Sequence, residues 1–358
     1  MMPEISIIIP TLNEAGCLPR LLNDLVRQQG LAIEVVVVDG GSTDATCQVA
    51  EDVLASSHLS GVCLVCPSGR GRQLNAGASA ARSDWLLFLH ADSRLHDTSQ
   101  LLKALEFMRS HQQRQATDAS AGRFPLRFDA SPAESSLGLL FCEVKARLGR
   151  PGCIHGDQGL LLPRSFFRRV GPFREDLPVM EDTALAEAIR AAGQWLLLPG
   201  EIETSVRRFQ AEGFRERQTL NALMMNFLAI GWLDFFSAAP DIYRQQDRTR
   251  PLQLWPFFRL LKNLLSTLPL QRRWAIWLAT GGYVRSQAWQ LGLALDCRRA
   301  YRRAGRTVPG GWLNFFDRWF DPLTNHGLGR LVTALLVMVW FSRCLKEKAE
   351  ESQPGNYI

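Results

Sequence analysis

The stretch VVVVDGGSTDAT, Val35 to Thr46, constrains this chain more than any other. Four consecutive valines suit a strand covered on both faces, as in a parallel sheet, and a glycine pair ends it. Asp39 then stands at the strand's carboxyl end, the edge of an open α/β sheet where ligands bind and helix N-termini gather. Ser42 or Thr43 is placed to cap a helix that begins near Asp44. Taken alone, the segment is equally a strand, a tight turn and a capped helix, so its neighbours must decide.

They repeat the pattern. ISIIIP reads as a first strand, CLPRLLNDLVRQQG as an amphipathic helix, and IEVVVVD as the second strand. DATCQVAEDVLASS, GVCLVC, RQLNAGASAAR and DWLLFLHAD continue as helix, strand, helix, strand. This alternation predicts an α/β fold with a doubly wound, mostly parallel, Rossmann-like sheet. Beyond it, HQQRQATDASAG reads as a polar loop and GRFPLRFD as an edge strand despite Pro125. GDQGLLLPRSFFRRVG reads as strand, turn and helix; MEDTALAEAIRAAG as a helix with an acidic first turn, ended by Gly193; and WLLLPG as a last short strand.

From about Glu212 the pattern turns to helices broken by prolines. The most apolar stretch, Leu331 to Phe341, falls short of the roughly 20 residues that span a bilayer and is expected to be a buried or interfacial helix. The net charge of +6 is unevenly placed: residues 244–308 hold thirteen Arg or Lys against Asp247 and Asp296, and eight of the ten tryptophans follow Gly231. Basic residues interleaved with Trp and Phe suit nucleic acid or an anionic membrane interface. The start, MMPEISIIIPTLNE, has no basic region before its apolar run, so no secretory signal is expected. Eight scattered cysteines, with Cys63 and Cys66 inside an apolar run, predict reduced, mostly buried thiols of a cytosolic protein rather than a metal knuckle.

Four strand ends carry polar groups towards one sheet edge: Pro10, Thr11, Asn13 and Glu14; Asp39 to Asp44; the GRGRQLNAG turn; and His90 with Asp92. An acid placed like Asp39 accepts from a base N–H or a ribose hydroxyl. Arg70 and Arg72 offer forked donors to phosphate oxygens, and Asp92 offers a hard oxygen to Mg2+ or Mn2+, which binds through one or two carboxylates plus substrate phosphates. The set describes a nucleoside diphosphate with a divalent metal.

The segments SIIIPTLNE, VVVVDGGSTDAT, GRGRQLNAG, LFLHADS and MEDTAL, in this order and spacing, resemble the family 2 glycosyltransferases of GT-A fold. GRF, GDQG and TSVRRF are similar to a bacterial subfamily associated with radical-SAM and selenium-domain proteins. The resemblance covers roughly residues 3–243. It implies a GT-A domain over 1–243 and leaves 244–358 unexplained as a helical, basic, Trp-rich extension. The charge of that extension, its Trp and Phe content and its short apolar stretches lead to the expectation of peripheral contact on the inner face of the cell membrane, with no nucleic acid. The resemblance implies that Pro10, Thr11, Asn13, Glu14, Asp39, Gly41 and Ser42 hold nucleobase and ribose, usually uridine, with Arg70, Arg72 and Asn75 also on the nucleotide. Asp92 matches the last acid of the family's metal-binding pair, and His90 replaces the first. Asp182 matches the base of inverting members, which deprotonates a hydroxyl acceptor, here lipid-linked or not.

Several residues carry two readings. Glu181 and Asp182 are also ordinary acids of a helix's first turn, and Asp157 is an acceptor contact or a turn. Arg207 and Arg208 clasp diphosphate or solvate a helix start. QRRW at Gln271–Trp274 has the wrong spacing for the Gln-x-x-Arg-Trp acceptor motif of polysaccharide synthases and reads as interfacial helix. Two other functions compete. A sugar-phosphate nucleotidyltransferase needs a glycine-rich basic loop after the first strand, where this chain has TLNEAG. A non-catalytic membrane scaffold with a degenerate transferase domain is favoured by His90 and opposed by the intact Asp39, Asp92 and Asp182.

Overall fold

The valine run becomes the second of three adjacent parallel strands in a computed structural model that describes residues 2–131, 134–246, 251–303, 308 and 310–351. Asp247, Arg248, Arg250 and Arg306 of the basic segment lie outside the described residues. β1 (Ile5–Thr11) and β2 (Ile33–Asp39) are buried along their whole length, as continuous apolar runs require, and β3 (Ser60–Val65) is the exposed edge. Helices α1 (Leu18–Val26), α2 (Thr46–Ser56) and α3 (Arg70–Ala80) connect these strands to each other and to β4 (Trp85–Phe88), which pairs in parallel with β1. α3 lies close on β1 and β2: a Cβ at Gly77 would fall 2.4 Å from Ile8 and 3.0 Å from Val38.

The second half of the sheet departs from simple alternation. After α4 (Gln100–Gln115) come β5 (Ser120–Arg123), β6 (Leu126–Asp129), α5 (Leu137–Arg147), a 3-10 turn at Gly156–Gln158, β7 (Leu160–Pro163), α6 (Arg164–Val170), α7 (Glu181–Ala192), β8 (Gln194–Leu197) and β9 (Ile202–Ser205). The sheet runs β3-β2-β1-β4-β7-β5-β8, with β7 antiparallel to both β4 and β5. The mostly parallel sheet with flanking helices is therefore as expected, with one strand reversed.

Two local expectations are corrected here. The polar stretch 111–122 is no loop, because its first residues complete α4 and its last form β5, a sheet interior strand. GRFPLRFD is not one edge strand: Pro125 lacks an N–H and divides it into the end of β5 and β6, which pairs with β9 in a separate two-stranded sheet.

The chain falls into two compact units, Met1–Ser135 with Cys142–Val206, and Ser136–Phe141 with Arg207–Ile358. The second unit contains α8 (Arg207–Glu212), α9 (Phe214–Ala229), α10 (Asp234–Gln246), α11 (Trp255–Thr267), α12 (Leu270–Ser286), α13 (Trp289–Arg302), α14 (Gly311–Phe315), a π-helical turn at Phe316–Phe320, α15 (Asp321–Thr324) and α16 (Gly327–Glu351). The motif-based boundary after Tyr243 falls inside α10, whereas the units divide at Val206. α16 also corrects the estimate of length: the residues from Gly327 to Leu345, 19 in all, are apolar enough to cross a membrane, and 11% of them are buried. Only Cys153 and Cys297 are buried and the other six cysteines are partly exposed, so the thiols are not mostly buried.

Candidate active site

The register of the strands assembles the first group of residues. Thr11 and Asp39 end β1 and β2 as direct partners, with Pro10 opposite Val38. Asp39 is buried, and its carboxylate accepts from the Gly41 N–H at 2.9 Å, the Ser42 N–H at 2.7 Å, the Thr11 hydroxyl at 3.2 Å and the Ser42 hydroxyl. Burial alone would raise its pKa, but these donors outweigh burial and hold it below the usual carboxylate range. Gly41 has φ +89° in this turn, a conformation open to glycine.

Asn13, at φ 57°, joins the two loops: its N–H donates to the Ser42 hydroxyl at 2.8 Å and its side-chain oxygen accepts from the Thr43 N–H at 2.8 Å. The Glu14 N–H donates to the Thr46 hydroxyl at 2.9 Å. Neither Ser42 nor Thr43 caps α2. The N-cap is Ala45, which carries no side-chain cap, and the Asp44 carboxylate accepts from the Thr46 N–H at 3.0 Å, while Ser42 is committed to Asp39. Beneath the loops, the buried Gln73 amide donates to the carbonyls of Thr11 and Val38, each at 2.8 Å.

The reversed strand assembles the second group. Because β7 is antiparallel, with Leu160 opposite Phe88, the turn before β7 lies at the same edge as the residues that follow β4. That edge gathers His90, Asp157 and the first turn of α7. The Gly156 N–H donates to Asp182 at 2.8 Å, and a Cβ on Gly156 would fall 2.7 Å from the His90 Nε2 and 2.9 Å from the Asp182 Oδ2, so only glycine fits. Met180, just before α7, is held in the left-handed region at φ 67°. Such a residue costs on the order of 1–3 kcal/mol and is typical of functional sites.

Arg70, in the first turn of α3, pairs with buried Glu181 and approaches Asp182 at 3.5 Å. Burial opposes ionisation of Asp182, yet the Arg70 guanidinium and the Gly156 N–H hold its pKa far below the usual range. Asp157 goes the other way: burial first, then the charges of Asp182 and Asp92, push its carboxyl up to about 7. Its Oδ1 and the Glu181 Oε2 are buried without hydrogen-bond partners. His155 donates to or accepts from the Thr183 hydroxyl at 2.9 Å, and burial pushes its pKa down to about 4, leaving it neutral.

The chemistry of this group is a surplus of negative charge: Asp92, Asp157, Glu181 and Asp182 against Arg70. Among the described residues no three His, Cys, Asp or Glu side chains stand ready as a complete cation site. Orphaned carboxylate oxygens and excess acid fit a divalent cation that takes its remaining oxygens from a bound diphosphate.

Other expected residues are placed differently. Asn75 spends both ends of its amide on the backbone of Phe173 and on Glu175, clasping α3 to the 173–175 segment. Arg72 lies half-exposed, 3.6 Å from Glu175. Arg207 and Arg208 open α8 of the second unit. Sequence reading missed Gln73, Gly156, His155 and Thr183. Gln73 lies inside GRGRQLNAG, Gly156 opens GDQG with His155 just before it, and Thr183 lies inside MEDTAL, but nothing in spacing distinguishes a strand-bridging amide from a solvated one.

Comparisons with known proteins bear on the first unit. Proteins described as PGL/p-HBAD biosynthesis glycosyltransferase, as in Mycobacterium bovis (strain BCG / Pasteur 1173P2), are 38% identical over 112 residues, 31% of this chain and 43% of theirs. The poly(ribitol-phosphate) beta-N-acetylglucosaminyltransferase TarS of Staphylococcus aureus (strain Mu50 / ATCC 700699) is 33% identical over 113 residues, 31% of this chain and 20% of its own. The chain thus spans less than half the length of these curated relatives. Among solved structures, the mannosyltransferase PcManGT from Pyrobaculum calidifontis, in complex with GDP-Man and Mn2+, aligns over 95% of this chain and 88% of its own, at 18% identity and a TM-score of 0.48. The family model described as Glycosyl transferase family 2 matches residues 6–167, the segment that holds Asp39, His90, Asp92 and Asp157.

Proposed function

We propose that this chain transfers a sugar from a nucleotide-sugar donor, a UDP-sugar, to a hydroxyl acceptor by a single in-line displacement that inverts the anomeric carbon. The observation that carries the reading is the acidic group at the carboxyl edge of β4, where Asp92, Asp157, Glu181 and Asp182 face one arginine with two carboxylate oxygens unpartnered. Such a surplus is balanced by a divalent cation with a donor diphosphate. Asp92 and His90 are the ligands we assign, for Mn2+ or Mg2+, which when bound neutralises the charge growing on the departing diphosphate.

The chain's own residues do the rest. The loops held by Asp39, Asn13 and Ser42 receive base and ribose. Arg70 pairs with Glu181 and lies 3.5 Å from Asp182. Its transfer to the diphosphate releases Asp182, raises that carboxylate's basicity and lets it take the acceptor's proton, a contribution of about 10²- to 10⁴-fold. A second assignment of the base, Asp157, is favoured by its unpartnered Oδ1 and a pKa of about 7, which suits proton transfer near neutral pH. The acceptor is lipid-borne or membrane-proximal in this reading, with the basic residues after Arg244 touching the anionic cytoplasmic face of the membrane. One relative, named a poly(ribitol-phosphate) beta-N-acetylglucosaminyltransferase, supports a polymeric acceptor for this reading as well.

Calorimetric titration of UDP into wild type and Asp92→Ala, each with and without Mn2+, tests the donor site. Metal should strengthen binding in wild type and do little in the variant. Equal affinity in all four titrations overturns the metal-assisted donor site.

A further inference from the structure

The second unit exposes apolar side chains far out of proportion to its size. Of the 24 large apolar side chains exposed among the described residues, 19 lie between Leu270 and Trp340. On α16 they recur at three- and four-residue spacing, as Leu328, Val332, Leu335, Leu336 and Val339, which places them on one face of the helix, while Trp340 packs edge-on against Phe258 of α11 at 5.6 Å. The opposite face is occupied. Ala334 is fully buried against Gly281 of α12, where a Cβ on the glycine would fall 2.7 Å from the alanine's, and Phe341 packs on Trp277 at 5.6 Å and Phe258 at 6.1 Å. α16 is therefore fastened along one side by α11 and α12 and bare along the other.

A core helix would explain the composition of Gly327–Leu345 only if it were mostly buried, and 11% burial excludes that. At about 1.5 Å per residue the segment is close to the thickness of a bilayer's hydrocarbon core. Its surroundings specify the occupant. Arg330 and Arg343 stand near its two ends, and Arg298, Arg299, Arg302 and Arg318 are exposed elsewhere in the same unit. Trp274, Trp312 and Trp319 are exposed in that unit as well. A bare apolar face in a unit that also exposes arginines, and tryptophans suited to the headgroup layer, is complementary to an anionic lipid bilayer.

We propose that the bare face of α16 lies among the acyl chains of an anionic bilayer, so that the second unit is anchored by hydrocarbon burial and not by charge alone. The inference deepens the membrane contact of the proposed function and rests on it, but the two differ in mechanism. Contact through headgroup charge is released by salt, because exposed charges are screened within roughly 3 Å at 1 M ionic strength. Burial among acyl chains is not.

The test is flotation of the full chain with phosphatidylglycerol-containing vesicles at about 0.1 M and 1 M salt, alongside the Leu335→Glu/Leu336→Glu/Val339→Glu variant. Wild type should float at both salts. The variant should lose at least about tenfold of its floated fraction at high salt while still binding UDP, which reports an intact first unit. Flotation of wild type at low salt only overturns insertion and leaves the peripheral contact standing. No flotation at either salt overturns both. A lipid-free dimer of wild type that the variant disrupts assigns the face to a second copy and also overturns insertion. Should the variant fail to fold, acyl-brominated lipids decide the matter on wild type: quenching of its tryptophan fluorescence supports insertion, and unquenched fluorescence overturns it.

Discussion

Asp157 and Asp182 lie at one sheet edge yet are driven in opposite directions, and two predictions follow from their surroundings. Asp182 is ionised throughout the neutral range, so the Asp182→Asn variant keeps the shape of the site but accepts no proton. We expect donor affinity to be nearly unchanged and turnover to fall by about 10²-fold or more, measured by steady-state transfer. Wild-type turnover would move the base to Asp157. That residue has its own signature in stability. Its carboxyl is raised from 3.8 to about 7 in the folded chain, so the folded state binds its proton more tightly than the unfolded state. The contribution of Asp157 to stability is therefore greatest below about pH 4 and declines as pH rises through about 7. Asp157→Asn should remove that decline, and the metal-free Tm of wild type and variant followed across this range checks it. Parallel profiles would show that Asp157 is not held protonated.

At the scale of elements, the donor loops depend on hydrogen bonds that reach beneath them. The Gln73 side chain, on α3, satisfies the last carbonyls of β1 and β2 at once, and a Cβ at Gly40 would lie 3.1 Å from that amide. Gln73→Leu keeps the bulk but removes one hydrogen bond from each carbonyl, leaving Thr11's with the Gly40 N–H at 2.9 Å and Val38's with the Thr11 hydroxyl at 3.5 Å. At about 0.5–1.5 kcal/mol per lost bond, we expect a stability loss of about 1–3 kcal/mol by denaturant unfolding. UDP affinity should fall with it, because the loops carrying Asn13 and Ser42 lose their floor. An unchanged midpoint would mean that water replaces the amide.

At the scale of the molecule, charge and apolar surface are both unevenly shared. The first unit carries 19 basic and 24 acidic residues and the second 22 and 11, which gives −5 and +11 and sums to the net +6. Long-range attraction to an anionic surface then acts through the second unit and governs the rate of approach. Retention depends on the short-range contacts made after arrival. On a captured anionic lipid layer, raising salt from about 0.05 M to 0.5 M should slow association by tenfold or more while leaving dissociation nearly constant. Salt that accelerates dissociation equally would mean that charge alone retains the protein.

How much of this was legible in the sequence differs from residue to residue. Local pattern determined β1, β2, α3 and α7, because continuous apolar runs and short-range periodicity act within one element. It also brought Asp39, His90, Asp92 and Asp182 forward as strand-end or helix-start residues, since those positions depend on where an element stops. Only the tertiary structure decided that β7 runs antiparallel and so carries Gly156 and Asp157 to the edge where β4 ends. Strand direction is set by pairing partners far apart in the chain, which no local period encodes. Asn75 and Gln73 make the same point: two residues apart on α3, one amide fastens a distant loop and the other the carbonyls of Thr11 and Val38 at the ends of β1 and β2. α16 completes it, because a run of apolar residues states that a surface will avoid water, while burial alone tells whether the protein itself has covered that surface.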